Sequence, residues 1–391
     1  MKALRRFDWF AFAVMLALVA VGTVAIRSAG YARAETVFHG MWINNLATAG
    51  FGLALYLLIA LADYRRVLGL LALPAYIVSL LLLVAVLFVG SEQFGGRRWL
   101  WFFQPSEIAK LCVISLTALL FGGGWPRIDR IRTTFRGFLL AAAVIGVPSL
   151  LILAEPDLGT TLTLVPATLV MLLAAGVWRR GLLTLAVVGG IGALAVLGAV
   201  YEAERPGTTA ERRARILRCV PLRDHQLRRI RVFLFPEEDQ LGAGYNLRQA
   251  KISIGSGGFW GKGVGRGESN HLKYLPQAIS MNDFIFCVYA EETGFVGSVA
   301  LLALFGALLA SGCRAAFLSE DPCGRLLALG LSTLIFAHVY VNIAMSVGVV
   351  PITGLPLPFI SSGRTFLITV MCGLGLVQSV AIHREEKDNN D

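Results

Sequence analysis

Charge is what this sequence has little of. Only 15% of its 391 residues are Asp, Glu, Lys or Arg, against about a quarter in soluble globular chains. With 56% hydrophobic residues and a mean hydropathy of +0.69, a water-soluble fold is excluded and a polytopic membrane protein is left. The six cysteines are scattered, mostly in apolar runs, without a CxxC or any paired spacing. Neither a disulfide framework nor a thiolate metal site follows. No internal repeat is visible. The net charge of +10 has no soluble domain through which to bind nucleic acid. Anionic lipid on the cytoplasmic face and a phosphorylated substrate outside suit it better.

What the chain does have is membrane-length apolar runs. The first follows Lys2, Arg5 and Arg6 and ends near Ile26. It is long for a cleaved signal and many runs follow, so it reads as an uncleaved first span. Further windows fall near 43–62, 69–89, 105–121, 137–153, 159–177, 182–201, 283–310, 326–349 and 361–382. Each is close to the ~20 residues a spanning helix needs. The fold class is therefore all-α, with about ten transmembrane helices and both termini on one side. A cytoplasmic N-terminus collects Arg5, Arg6, Arg65, Arg66, Arg127, Arg130, Arg132, Arg179, Arg180, Arg314, Arg325 and Arg384 inside. It leaves only a few cations, such as Arg27, Arg33, Arg97 and Arg98, in the short outer loops. The positive-inside rule favours that orientation.

One outer loop is long. It spans 202–281, between the seventh and eighth spans of a single integral membrane domain. Glu204 to Arg231 reads as a charged, poorly ordered or partly helical surface, and Phe233 to Pro236 turns the chain back to the membrane. Cys219 should be a free thiol in this loop, and Cys323, beside Arg325, should be reachable only from inside. The polar tail, 383–391, is expected to be disordered.

Chemistry concentrates in 242–297. Gly255-Ser256-Gly257-Gly258 and Gly261-Lys262-Gly263 let backbone approach a ligand, although a glycine-rich stretch is more often only a loop. Asp283 stands at the mouth of the next apolar helix, with Glu291 and Glu292 about two turns deeper. By spacing alone Asp283 is a helix N-cap, worth about 0.5–2 kcal/mol. Glu107 and Lys110 share a helix face within the membrane, as an ion pair or at a wet cavity. Glu155-Pro156-Asp157-Leu158-Gly159-Thr160 marks a tight turn in which Asp157 caps the next helix. His338 and Asn342 lie one turn apart and suit interhelical hydrogen bonds. Residues 351–359 (PITGLPLPF) cannot be regular helix and should form a partly re-entrant hairpin.

The words GYNLRQAKISIGSGGFWGKG, YLP, DFIF, AEETGFVG and PITGLPLPF, spread between Trp99 and Gln378, resemble the SEDS family (shape, elongation, division and sporulation). The resemblance implies a membrane glycosyltransferase that polymerises lipid II into peptidoglycan strands and releases undecaprenyl diphosphate. It implies a class B penicillin-binding protein as the crosslinking partner, and allows a divalent cation, Mg or Mn. Asp283 aligns with the acid of the family's HTDFIF-type motif and is thereby implied as the catalytic base, while Met281-Asn282 replaces the usual His-Thr. Trp99 matches the RW position, with Arg97 and Arg98 beside it to hold a pyrophosphate. Lys251, Ser256 and Lys262 fall in the cationic loop motif, and Asn342 at a family position. Glu155 stands where Gln is common. Glu107, Lys110 and Arg364 complete the candidate substrate-binding set. The family usually continues Ser-Tyr-Gly-Gly after the hairpin, whereas this chain reads Ser361-Ser362-Gly363-Arg364.

The stretch from Pro236 to Gly263 resembles the elongation branch (RodA), and Glu268 to Pro276 the division branch (FtsW). Two rivals stand beside the enzyme. A lipid II flippase would place its site near the midplane, at a repeat interface. A scaffold would need no cationic glycine turns.

Overall fold

The computed structural model describes residues 6–384 except 32–39, 94–95, 101–102, 124, 156, 206, 221, 240–241 and 269–279. All ten apolar windows are helical: α1 (Trp9–Tyr31), α2 (Met41–Leu61), α3 (Tyr64–Val89), α4 (Pro105–Phe121), α6 (Phe135–Ala154), α7 (Leu158–Ala174), α8 (Arg179–Glu204), α12 (Ile285–Leu318), α13 (Pro322–Val347) and α14 (Arg364–Ile382). Eight of these are long and apolar enough to cross a membrane. The other two, α4 and α7, have 17 residues each. A short helix α5 (Pro126–Ile131) follows α4, and a β-hairpin absent from the all-α expectation, β1 (Ser91–Gln93) against β2 (Gly96–Trp99), precedes it.

Helix starts follow local chemistry. Asp63, Asp157 and Asp321 accept from backbone N–H groups of Arg65, Thr160, and Cys323 with Gly324, respectively, satisfying donors the helix cannot pair itself. Pro opens α4, α5 and α13, where its missing N–H costs nothing.

The centre of the bundle is α13 and α14, whose apolar windows are 72% and 78% buried, whereas that of α8 is only 6% buried. Arg6 donates to the carbonyl of Arg384, so the two ends of the described chain meet. At the same end Tyr64 donates to Asp321 at 2.6 Å and Ser379 to Ala62 at 2.5 Å. Cys323 is buried, not open to reagent, because Gly122 lets α4 close against its backbone.

The charged segment of the long loop is more ordered than the sequence suggests. It forms α9 (Ala210–Arg218) and α10 (Asp224–Leu234). Arg213 and Arg231 pair with Glu204 at 2.8 and 3.4 Å, and Tyr201 stacks on Phe235, tying both helices to the end of α8. A 3₁₀ turn, Pro236–Glu238, leads to α11 (Ala243–Ser256). Lys251 and Ser256 therefore sit on an exposed helix face and at its end, not in a glycine turn. Of the tail, His383 and Arg384 are described; the rest lies outside the described residues.

Candidate active site

Asp283 is not a helix cap. The N-cap of α12 is Phe284, with no side-chain capping bond, so the carboxylate is free of the structural duty its spacing implied. Its main chain is instead held from two other parts of the chain. Asn342 Nδ2, on α13, donates to the Asp283 carbonyl at 3.0 Å and to the Leu355 carbonyl at 2.7 Å. Ser361 Oγ donates to the Asn282 carbonyl at 2.6 Å, and the Ser362 amide to that of Met281 at 3.2 Å. As its prolines require, 351–357 has no helix or strand; it connects α13 to α14 and ends in a turn, the Ile360 and Ser361 amides donating to the Leu357 carbonyl at 3.2 and 3.0 Å. It lies hard against α1, where a Cβ on Gly22 would sit 2.0 Å from the Phe359 carbonyl oxygen. Gly354 (φ 75) leaves open the space over the carboxylate, its Cβ position being 3.5 Å from Asp283 Oδ2.

Two arginines face this acid. Arg229 of α10 donates to the Thr353 carbonyl at 3.0 Å, next to Gly354. Arg98 at the end of β2 lies 3.9 Å from Asp157 and donates to the Glu155 carbonyl at 3.4 Å. Burial raises the Asp283 carboxyl to about 6, with Arg229 and then Arg98 pulling the other way. Burial also lowers Arg229, the neighbouring Arg98 adding to the effect. A half-buried acid near two arginines, with its carboxyl raised to about 6, is poised to hold or release a proton near neutrality.

Arg229 is the residue the sequence did not single out. It stands in a run of arginines that reads as solvated surface, and only the packing of α10 separates it from exposed Arg228. Asp157 does cap α7, through Thr160, and also accepts from Gln104 at 2.9 Å and faces Arg98. Glu155 is fully buried beside it. Trp99 is partly buried in β2, and the Arg97 side chain lies outside the described residues.

Other candidates are elsewhere. The glycine turns do not form an open anion cradle: the amides of Lys262 and Gly263 donate to the Glu291 and Glu292 carbonyls at 3.0 Å each. Lys262 Nζ is 2.9 Å from Glu291 and 3.3 Å from Glu268, and Glu292 accepts from Ser28. Gly294 (φ 67, ψ −161) breaks α12 there, and the turn closes onto the break. Glu291 and Glu292 thus belong to a short arm before the break. Glu292 meets α1 at Ser28, six residues nearer the C-terminal end of α1 than Gly22, where the Asp283 hairpin docks. Lys110 is buried between Glu107, at 2.9 Å, and His338 Nε2, at 2.8 Å, with its ammonium 5.5 Å from the Phe366 ring centroid. That cluster is an ion pair inside the bundle. Arg364 is exposed at the start of α14. Among the described residues no three acids, His or Cys converge as metal ligands, and the charges facing Asp283 are cationic. These residues do not make a Mg or Mn cage.

The family model for the cell cycle proteins FtsW, RodA and SpoVE matches residues 8–386. The chain belongs to this family. The family resemblance read from its motifs is thereby borne out over nearly the whole chain. Among curated relatives, the peptidoglycan glycosyltransferase MrdB of Escherichia coli K12 is 35% identical over 95% of this chain and 92% of its own length. The probable peptidoglycan glycosyltransferase FtsW of Trichlorobacter lovleyi is 33% identical over 97% and 94%. A chain from a solved structure described as "Structural coordination of polymerization and crosslinking by a peptidoglycan synthase complex" superposes with a TM-score of 0.75. It is 32% identical, covering 97% of this chain and 99% of that one. The rod shape determining protein RodA of Thermus thermophilus superposes with a TM-score of 0.66 at 28% identity, covering 97% and 98%.

Proposed function

We propose that this SEDS protein polymerises lipid II into glycan strands at the outer face of the cytoplasmic membrane, with Asp283 as general base. One observation carries the reading: a carboxylate relieved of capping, fixed by its own main chain and faced by Arg98 and Arg229. In each cycle a sugar hydroxyl attacks an anomeric carbon, and the C–O bond to undecaprenyl diphosphate breaks. Asp283 takes the hydroxyl proton, a contribution of about 10²–10⁴-fold. Arg98 and Arg229 meet the charge developing on the departing diphosphate.

The ten helices support ten crossings, and the meeting of Arg6 with Arg384 supports termini on one side. The arginines clustered toward that end support a cytoplasmic placement. The synthase-complex likeness supports a transpeptidase partner of the penicillin-binding class. The motif from Pro236 to Gly263 and the likeness to RodA support the elongation branch.

The test is strand synthesis from purified lipid II, with moenomycin present and a transpeptidase-only partner. Asp283→Asn keeps the shape of the side chain and removes the base, and should abolish polymer while insertion stays normal. Near wild-type polymer from that variant would overturn Asp283 as the base. No polymer from the wild type, with lipid II crossing vesicle membranes, would make the protein a flippase.

A further inference from the structure

Two polar side chains 80 residues apart meet beside the acid. Asn282 stands just before Asp283, and Ser362 follows the hairpin. Ser362 Oγ donates to Asn282 Oδ1 at 2.6 Å, across a sequence separation of 80. We propose that Asn282 and Ser362 form a latch that positions Asp283.

The surroundings show why a latch is needed. Asp283 precedes α12 and lacks the hydrogen bonds that would fix it as a cap. Three consecutive carbonyls, those of Met281, Asn282 and Asp283, accept from Ser362 N, Ser361 Oγ and Asn342 Nδ2. Ser361 also accepts from the Leu357 amide at 2.8 Å, which couples the grip to the hairpin. The partner strand of this grip has no regular ladder and includes Phe359 at φ 65, a conformation a bulky residue adopts only when packing forces it. In that setting the Asn282–Ser362 bond adds a side-chain to side-chain tie between the residue next to the acid and the segment after the hairpin, beside the Ser361 contact to the Asn282 carbonyl. Ser362 is buried, and Asn282 is partly so. A carboxylate displaced by about 1 Å loses on the order of 10²-fold in rate. A loosened latch therefore acts on turnover more than on substrate capture.

The inference rests on Asp283 as the base, so the experiment includes Asp283→Asn beside Asn282→Ala, Ser362→Ala, the double variant and Ser362→Thr, all assayed with lipid II. Each alanine variant should lower kcat about 10-fold or more, with KM within about twofold. The double variant should lose less than the two single losses combined, because the two residues share one bond. Ser362→Thr keeps the hydroxyl and should retain most of the rate. The acid limb of the kcat profile should move to lower pH in the alanine variants, as the carboxyl loses its enclosure. Polymer from Asp283→Asn would remove the premise. An inactive Asp283→Asn together with alanine variants of wild-type kcat and pH profile would overturn the latch alone, whatever their thermal midpoints. Additive losses in the double variant would also overturn it.

Discussion

Replacing Glu155 by Gln should stabilise the protein, and more so as pH rises. Glu155 is 0% exposed, and among the described residues neither carboxyl oxygen has a hydrogen-bond partner. Burial first, and the nearby Asp157 second, raise its carboxyl from 4.5 to about 8, with Arg98 opposing. The native state thus holds a proton that the unfolded chain releases above its ordinary value. The sign follows: stability from this group is full below 4.5 and declines with pH until the native carboxyl itself ionises at about 8. The slope is about 1.4 kcal/mol per pH unit, with a ceiling of about 5 kcal/mol over the whole window. Gln has nearly the same shape as a protonated Glu and does not ionise. Thermal midpoints of wild type and Glu155→Gln in detergent, taken every half unit from pH 5 to 9, give the test. The difference curve cancels titrations that are not coupled to this site. It should be near zero at the acid end, rise steadily, and flatten past about pH 8. A flat difference curve, or one that falls, would refute the reasoning. A protonated Glu at this position also accounts for how this chain does without the Gln common in its family.

Two further outcomes are expected. Lys110→Met leaves Glu107 buried without its cation, and should cost about 3–5 kcal/mol in detergent unfolding. Adding Glu107→Gln to it should recover part of that loss, and a double variant as unstable as the sum of the singles would refute the buried-pair reading. Cys219 is exposed and should react with a membrane-impermeant maleimide in intact spheroplasts. Arg127→Cys, exposed toward the opposite end, should react only after permeabilisation, and the reverse pattern would invert the proposed orientation.

The membrane helices are legible in the sequence because hydropathy and length act locally, and all ten windows became helices. Asp283 and Arg98 are legible only through the family's motifs, since by spacing Asp283 is a cap. The structure moves the helix start one residue on, to Ile285 with Phe284 as the cap, and the cap reading fails with it. Arg229 is invisible in sequence because its neighbours share its charge. Its distinction is which way α10 turns it. Lys262 misleads in the other direction: a lysine between glycines reads as an anion site until Glu291, two turns into the following helix, is seen beside it. Both cases turn on contacts between residues far apart in the chain, which no local pattern encodes.

The grip on Asp283 bears on when the enzyme comes alive. Its donors are Asn342, Ser361 and Ser362, and the hairpin carrying them rests against Gly22 of the first helix. A ribosome delivers the acid some 60 to 80 residues before its supports. Until residues 342–362 have been made, none of these bonds can form. With Asp283 as the proposed base, the nascent chain lacks a fixed base through most of its own synthesis, and a product truncated before residue 342 should make no polymer.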